Sequence, residues 1–395
     1  MKKIKYLIFL LALSSCNQYL GTIDSDYTPL KEVTEVYSNV QFENSNREIN
    51  SEDIIYPNIT NQSLSINNFE INKIINTDKE SVVNFFNDKI YISKKTSLYV
   101  LDNTNEKIIS EFKLNLNKDE RILHFFEYQD KIYFITNRSR QFVIDDQDLS
   151  EVNDYGIFIN GNPILKEETL ILFSVFGDIY HINLNENIIQ TKANFDPKPG
   201  INLKSNIYED QSNIYYLFNS GTLITFDKDS LKSNNNYIIE DLNIMTSLGD
   251  FSDLIDAPFN YNNYLYFLDH SGKIAVFDPI TADILWQLDI NDTILKYNFS
   301  KNGQLIILTL NKILIISDYG KVTYEYSHNI ESPMSFLFFN EYFYVISEKG
   351  ITPINFDNKS EDIFYNNKFY NNLDIYYQGQ NIFLKDDKSL FKLSE

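Results

Sequence analysis

Tyr264 to Leu288 reads Tyr-Leu-Tyr-Phe-Leu-Asp-His-Ser-Gly-Lys-Ile-Ala-Val-Phe-Asp-Pro-Ile-Thr-Ala-Asp-Ile-Leu-Trp-Gln-Leu. An aromatic-rich strand is followed by a tight turn at Ser271-Gly272, then by a second strand that closes on Asp278. A second turn spans Pro279 to Asp283, and a third strand carries the only Trp of the chain. A ribbon of two or three strands is at best marginally stable in water, so this unit needs neighbours of its own kind.

The chain supplies them. Aligned on Asp278, the same strand-turn-strand pattern ends at Asp102, Asp145, Asn183, Asp227, Asp278, Ser317, Asn355 and Leu393, at intervals of 43, 38, 44, 51, 39, 38 and 38 residues. No stretch after residue 20 sustains a 3.6-residue apolar period with caps at both ends, so the class is all-β. Thirty Phe and 28 Tyr against one Trp and three Met agree, because aromatic side chains fit a pleated, half-buried surface. A strand-only repeat of this period predicts an eight-bladed β-propeller of four-stranded antiparallel blades. Gly177, Gly221, Gly272 and Gly350 sit between paired strands and supply the positive φ of tight hairpins. The last unit stops after Leu393, before an outer strand can form. The apolar segment Phe69 to Ile75 is expected to provide that strand and close the ring from the N-terminal end.

The formal net charge is −21, and removal of a leader holding Lys2, Lys3 and Lys5 leaves 31 basic against 55 acidic residues, or −24. Such a surface repels phosphate backbones, which argues against a nucleic-acid partner. The leader is read from those lysines, the short apolar run Tyr6 to Leu13, and Leu13-Ser14-Ser15-Cys16. That tetrapeptide resembles the lipobox of bacterial lipoproteins, in which the Cys is diacylated. Residues 1–15 are thus expected to be a signal peptide, and Cys16 the lipid anchor. Residues 16–50 are expected to be a tether and 51–395 the propeller. Position +2 is Asn17 rather than Asp, so the expected location is the periplasmic side of the outer membrane. A lone Cys excludes an intramolecular disulfide.

Residues 264–288 resemble the repeat of the PQQ-like β-propellers, with Thr281 and Trp286 in the family's Thr-Gly and Trp places and Ala282 replacing the Gly. The positions equivalent to Trp286 are Ser110, Asn153, Thr191, Asn235, Glu325 and Ile363, so the signature is degenerate elsewhere. With the lipobox and eight units, the chain resembles the BamB family, lipoprotein subunits of the outer-membrane β-barrel assembly machine. In that family a Leu-x-Leu-Arg segment entering the fourth blade and an Asp-x-Asp segment ahead of the fifth contact the POTRA region of BamA. The matching positions here are Ile201, Leu203 and Lys204, and then Asp253 with Asp256. Lys204 in place of Arg loses the planar bidentate fork. The resemblance implies a scaffold, monomeric within a complex, whose partners are a BamA-like subunit and unfolded outer-membrane proteins.

The residues do not suggest catalysis or a cofactor. Adjacent cysteines, needed by quinoprotein dehydrogenases, are absent. His124, His181, His270 and His328 lie in different units without metal-ligand spacing, and Asp145-Asp146-Gln147-Asp148 lacks the Gly and closing Glu of a calcium loop. No nucleophile elbow, P-loop or dinucleotide fingerprint occurs. The alternatives to a barrel-assembly scaffold are a periplasmic ligand- or glycan-binding propeller and a quinoprotein-type enzyme.

Overall fold

The computed structural model describes residues 70–395 except 146–147, 160, 194–206, 210–211, 218–221, 231, 239–258, 282, 301–302, 340–341, 355–364, 367, 371–372, 379–380 and 395. All described residues lie in the unit spanning Ile54–Glu395. Among them there is no helix, and 32 strands form eight four-stranded sheets.

Strand β1 (Glu70–Asn76) comes first. Sheet one is β2 (Val83–Phe86), β3 (Lys89–Ser93), β4 (Ser97–Asp102) and β5 (Ile108–Lys113), and sheet two is β6 (Ile122–Tyr128), β7 (Lys131–Thr136), β8 (Arg140–Asp145) and β9 (Asp148–Asp154). Sheet three is β10 (Ile164–Lys166), β11 (Thr169–Phe173), β12 (Ile179–Asn183) and β13 (Ile188–Ala193), and sheet four is β14 (Ile207–Glu209), β15 (Asn213–Leu217), β16 (Thr222–Asp227) and β17 (Ser233–Ile238). Sheet five is β18 (Phe259–Tyr261), β19 (Tyr264–Leu268), β20 (Lys273–Asp278) and β21 (Asp283–Asp289), and sheet six is β22 (Ile294–Phe299), β23 (Leu305–Thr309), β24 (Lys312–Ile316) and β25 (Val322–Ser327). Sheet seven is β26 (Pro333–Phe339), β27 (Tyr342–Ser347), β28 (Gly350–Ile354) and β29 (Tyr365–Asn366). Sheet eight has only β30 (Asp374–Gln378), β31 (Asn381–Lys385) and β32 (Ser389–Ser394) from its own end of the chain. Its fourth strand is β1, antiparallel to β32 with Ile71 opposite Leu393. The expected strand contribution of 69–75 is therefore found one residue displaced.

The middle strands are apolar on both faces because each sheet is covered on both sides. All five residues of β23, Leu-Ile-Ile-Leu-Thr, are buried, whereas the outer strand β25 buries only Tyr326. Clusters of buried side chains join consecutive sheets. Phe125 and Phe134 of sheet two meet Tyr91 and Leu98 of sheet one, and Phe336 and Phe343 of sheet seven meet Ile306 and Ile313 of sheet six. One cluster joins the last sheet to the first, where Phe383 and Leu390 pack on Ile90 and Ile92. A polar tie follows the same seam, where Lys392 Nζ lies 2.5 Å from Glu106 Oε1, and within sheet eight Thr77 N donates to Lys388 O at 2.8 Å.

The recurring acidic marker is explained by the turn it closes. Asp278 Oδ1 accepts the N–H of Ile280 at 2.8 Å and of Thr281 at 3.4 Å. Asp102, Asn183 and Asp227 receive the N–H groups two and three residues on in the same way. A short carboxylate or amide is favoured there because it satisfies turn donors that no strand partner reaches. Those backbone donors hold the Asp102 and Asp227 carboxyls below the ordinary value. The third and fourth strands share a bulge just before the marker, at Val100/Leu101, His181/Ile182, Thr225/Phe226 and Val276/Phe277.

Gly177 and Gly272 take positive φ as expected, at 82° and 102°. The turns between first and second strands instead use paired left-handed non-glycine residues, Asn87-Asp88, Gln129-Asp130 and Asn262-Asn263. This is the two-residue geometry that matches strand twist, and Asn and Asp tolerate it.

Candidate functional site

In a four-stranded antiparallel sheet, the turn between the second and third strands lies at the same end as the links to the preceding and following sheets. That end is knitted together by backbone hydrogen bonds. Within a sheet, Leu114 N donates to Thr96 O at 2.9 Å and Ile290 N to Gly272 O at 3.0 Å. Towards the next sheet, Asn137 N donates to Arg121 O at 3.0 Å, Val175 N to Phe158 O at 2.9 Å and Leu310 N to Thr293 O at 3.1 Å. Each such link is thus held by the turn behind it and the turn ahead.

Side chains reinforce these links. In 114–121, Glu120 is buried and its carboxylate accepts from Thr136 Oγ1 at 2.7 Å, Asn117 N at 3.0 Å, Asn117 Nδ2 at 2.8 Å and Arg140 Nη1 at 3.0 Å. Arg140 donates onward to both oxygens of Glu151, at 3.2 and 2.6 Å. Burial alone pushes the Glu120 carboxyl up, but the Asn117 N–H, the Thr136 hydroxyl and the Arg140 guanidinium outweigh it and hold the group low. In 290–293, Asp292 Oδ2 accepts from Thr309 Oγ1 at 2.6 Å.

On this collar most turn tips are polar, as at Lys94-Lys95, Arg138, His270-Ser271 and Glu348-Lys349. Phe176 breaks the pattern. It is 49% exposed and lies beside Phe158, 51% exposed, across the Val175–Phe158 hydrogen bond. The Arg138 guanidinium sits 5.5 Å from the Phe158 ring centroid, a cation–π arrangement. The pair was not anticipated from sequence, although a large aromatic directly before the turn Gly177 is a readable signal. Exposed aromatic rings flanked by Arg are the residue types that dominate protein interfaces.

Ile201, Leu203 and Lys204 fall in the segment joining β13 to β14, and Asp253 and Asp256 in the segment joining β17 to β18; both segments, like Cys16, lie outside the described residues. The fourth strands offer a second surface, since each is the edge of its sheet. Edges such as β9 carry Asp148, Glu151 and Asp154, charges that discourage pairing. β5 and β13 instead begin with exposed pairs, Ile108-Ile109 and Ile188-Ile189.

The histidines do not converge. Burial lowers the pKa of His124, and burial with the nearby Lys166 lowers that of His181. His270 Nδ1 is 2.9 Å from Ile294 O. Among the described residues no three His, Cys, Asp or Glu side chains are grouped to hold a metal.

No protein-family model matches the chain, and no curated protein sequence matches it. Solved structures do. The chain is similar to BamB from Moraxella catarrhalis at 12% identity and TM-score 0.55, over 81% of this chain and 100% of that one. It is similar to the computationally designed Ika8 protein at 8% identity and TM-score 0.57, over 82% and 99%, and to Sqt1 from Saccharomyces cerevisiae at 11% and 0.57, over 82% and 99%. At these identities the likeness shows the fold, a β-propeller.

Proposed function

We propose that this propeller is a non-catalytic, lipid-anchored scaffold of the outer-membrane β-barrel assembly machine. Fold alone does not select that role, since a designed protein and a yeast protein share the architecture. The observation that carries the reading is the match to the whole length of BamB by a chain in which Lys2, Lys3 and Lys5 and a short apolar run precede Leu13-Ser14-Ser15-Cys16. On this reading residues 1–15 are removed, Cys16 is acylated on the periplasmic side of the outer membrane, and eight blades form a ring closed by β1 on β32. The collar end carries the partner surface: Ile201, Leu203 and Lys204, with Asp253 and Asp256, dock on a BamA-like subunit. The edges β5 and β13 pair transiently with extended clients, since backbone pairing reads strand conformation rather than sequence.

The test is co-purification from detergent-solubilised envelopes. Wild type should bring down the barrel-forming subunit, the double reversal Lys204→Glu with Asp253→Lys should lose it, and Cys16→Ser should release the protein from the membrane fraction. A wild-type pull-down free of barrel-assembly subunits would overturn the proposal.

A further inference from the structure

The turns and links on the collar of sheets one to three form one continuous strip. Leu114 N bonds Thr96 O in the first sheet's turn, Arg121 N donates to Asn137 Oδ1 at 2.9 Å, Ile159 N donates to Asn137 O at 3.0 Å, and Val175 N reaches Phe158 O. Along this strip Lys94 and Lys95 are followed by Lys118, Arg121 and Arg138, and then by the exposed rings of Phe158 and Phe176. Five cations and two aromatic rings thus sit on backbone that is fixed before a partner arrives, which limits the ordering cost of docking.

The charge of the strip runs against that of the chain. Its segments, 94–96, 114–121, 137–139, 155–159 and 174–178, hold three acidic residues, of which Glu120 and Asp178 are buried. Only Asp119 is exposed. At the opposite end of the same three sheets, the described residues of 87–89, 102–109, 127–131, 145–148, 166–168 and 183–189 carry ten Asp or Glu against four Lys. In a protein of net charge −21, this part of the collar therefore attracts an acidic partner that the rest of the surface repels. Its cations are accessible. Lys95, Lys118 and Arg121 are exposed, and the ion pair of Arg121 with Glu80, at 3.6 Å, is about half exposed on both sides and worth little.

Two features select a protein segment over other anions. The Phe158 and Phe176 rings offer apolar contact that a phosphate or a lone carboxylate leaves unused, whereas aromatic and apolar side chains use it. An extended polyanion, or an anionic bilayer, would run beyond the strip onto acidic surface. We infer that the collar of sheets one to three docks an acidic peptide segment carrying an apolar or aromatic side chain, with its carboxylates on the cations and that side chain on the phenylalanine rings. This chemistry does not depend on the barrel-assembly complex, whose proposed contacts fall in the segments before and after sheet four.

Fluorescence anisotropy on the full chain in mild detergent tests it, with a labelled peptide of repeated Asp-Glu-Phe-Gly units as probe. Peptides of Asn-Gln-Phe-Gly and Asp-Glu-Ser-Gly units, and polyphosphate, are the contrasts. The acidic aromatic peptide should bind at low salt, weaken as salt rises, and exceed both other peptides by about tenfold. Lys95→Gln with Lys118→Gln and Arg138→Gln should lower its affinity by about tenfold, whereas Lys89→Gln with Lys107→Gln at the opposite end should leave it unchanged. Phe158→Ser with Phe176→Ser should bring the aromatic peptide down to the level of the ring-free one and leave the ring-free one unaltered, a pattern that unfolding would not give. Absence of binding at millimolar peptide in low salt, equal binding of the neutral or ring-free peptide, preference for polyphosphate, or equal effects of the collar and opposite-end substitutions would each overturn the inference.

Discussion

Trp286 and Asp318 tie the fifth sheet to the sixth: the indole Nε1 of Trp286 on β21 donates to the Asp318 carbonyl at 2.8 Å. The ring packs under Gly320 in the same turn, where an added Cβ would lie 2.7 Å from the indole. Gly320 also has φ +81°, so two constraints require a glycine there. Gly320→Ala should cost about 1–3 kcal/mol of stability, and Trp286→Ala about 3–5 kcal/mol, read by thermal melting. Because Trp286 is the only Trp, its emission reports this contact alone and should shift to the red in Gly320→Ala before global unfolding.

The Glu120–Arg140 pair carries a pH dependence with a definite sign. The folded carboxyl lies below its ordinary value, so it contributes stability above the unfolded pKa, and that contribution is lost as pH falls through the folded pKa. Glu120→Gln should lower the melting temperature at neutral pH and flatten the acid limb below the ordinary glutamate value of about 4.3. Arg140→Met leaves a buried carboxylate without its cation and should cost about 3 kcal/mol at neutral pH. Melting curves from pH 3 to pH 8 check both.

The aromatic pair on the collar should separate binding from folding. Phe158→Ser with Phe176→Ser removes exposed apolar surface and should change the melting temperature little, since surface substitutions lie within about 0.5 kcal/mol. Capture of the barrel-forming subunit should fall at least severalfold if the collar is the partner face. Unchanged capture would place the partner elsewhere.

Ile71 tests the contribution of β1. It is buried among Ile351, Phe391 and Leu393, so Ile71→Asp puts a charge in an apolar cluster and frees the edge of β32. A loss of about 3 kcal/mol or more is expected, with increased aggregation on heating.

Much of the fold was legible because the repeat imposes one pattern on every sheet. The buried middle strands appear in the sequence as apolar runs, and the carboxylate or amide that caps the turn after the third strand keeps the register visible at Asp102, Asn183, Asp227 and Asp278. The first strands were harder to read. β10, β14 and β18 have three residues each, and the turns after β6 and β18 use Gln129-Asp130 and Asn262-Asn263 rather than glycine. Sites fared worse than strands, for a geometric reason. Phe158 and the turn that carries Phe176 are joined only because a link folds over the next turn, through the Val175–Phe158 backbone hydrogen bond, and that leaves no local motif.

The pairing of β1 with β32 also sets an order of events. Thr77 Oγ1 donates to the Asp386 carbonyl across a separation of 309 residues. A chain that emerges N-terminus first therefore presents β1 long before its partner strand exists. The interior sheets can collapse on local hairpins, whereas this clasp requires the whole polypeptide and closes a very long loop, a slow step in folding. Until then the N-terminal strand is an unpaired β segment in need of shielding. The protein should accordingly lean on holding chaperones during synthesis, and premature termination should yield degraded rather than partly active product.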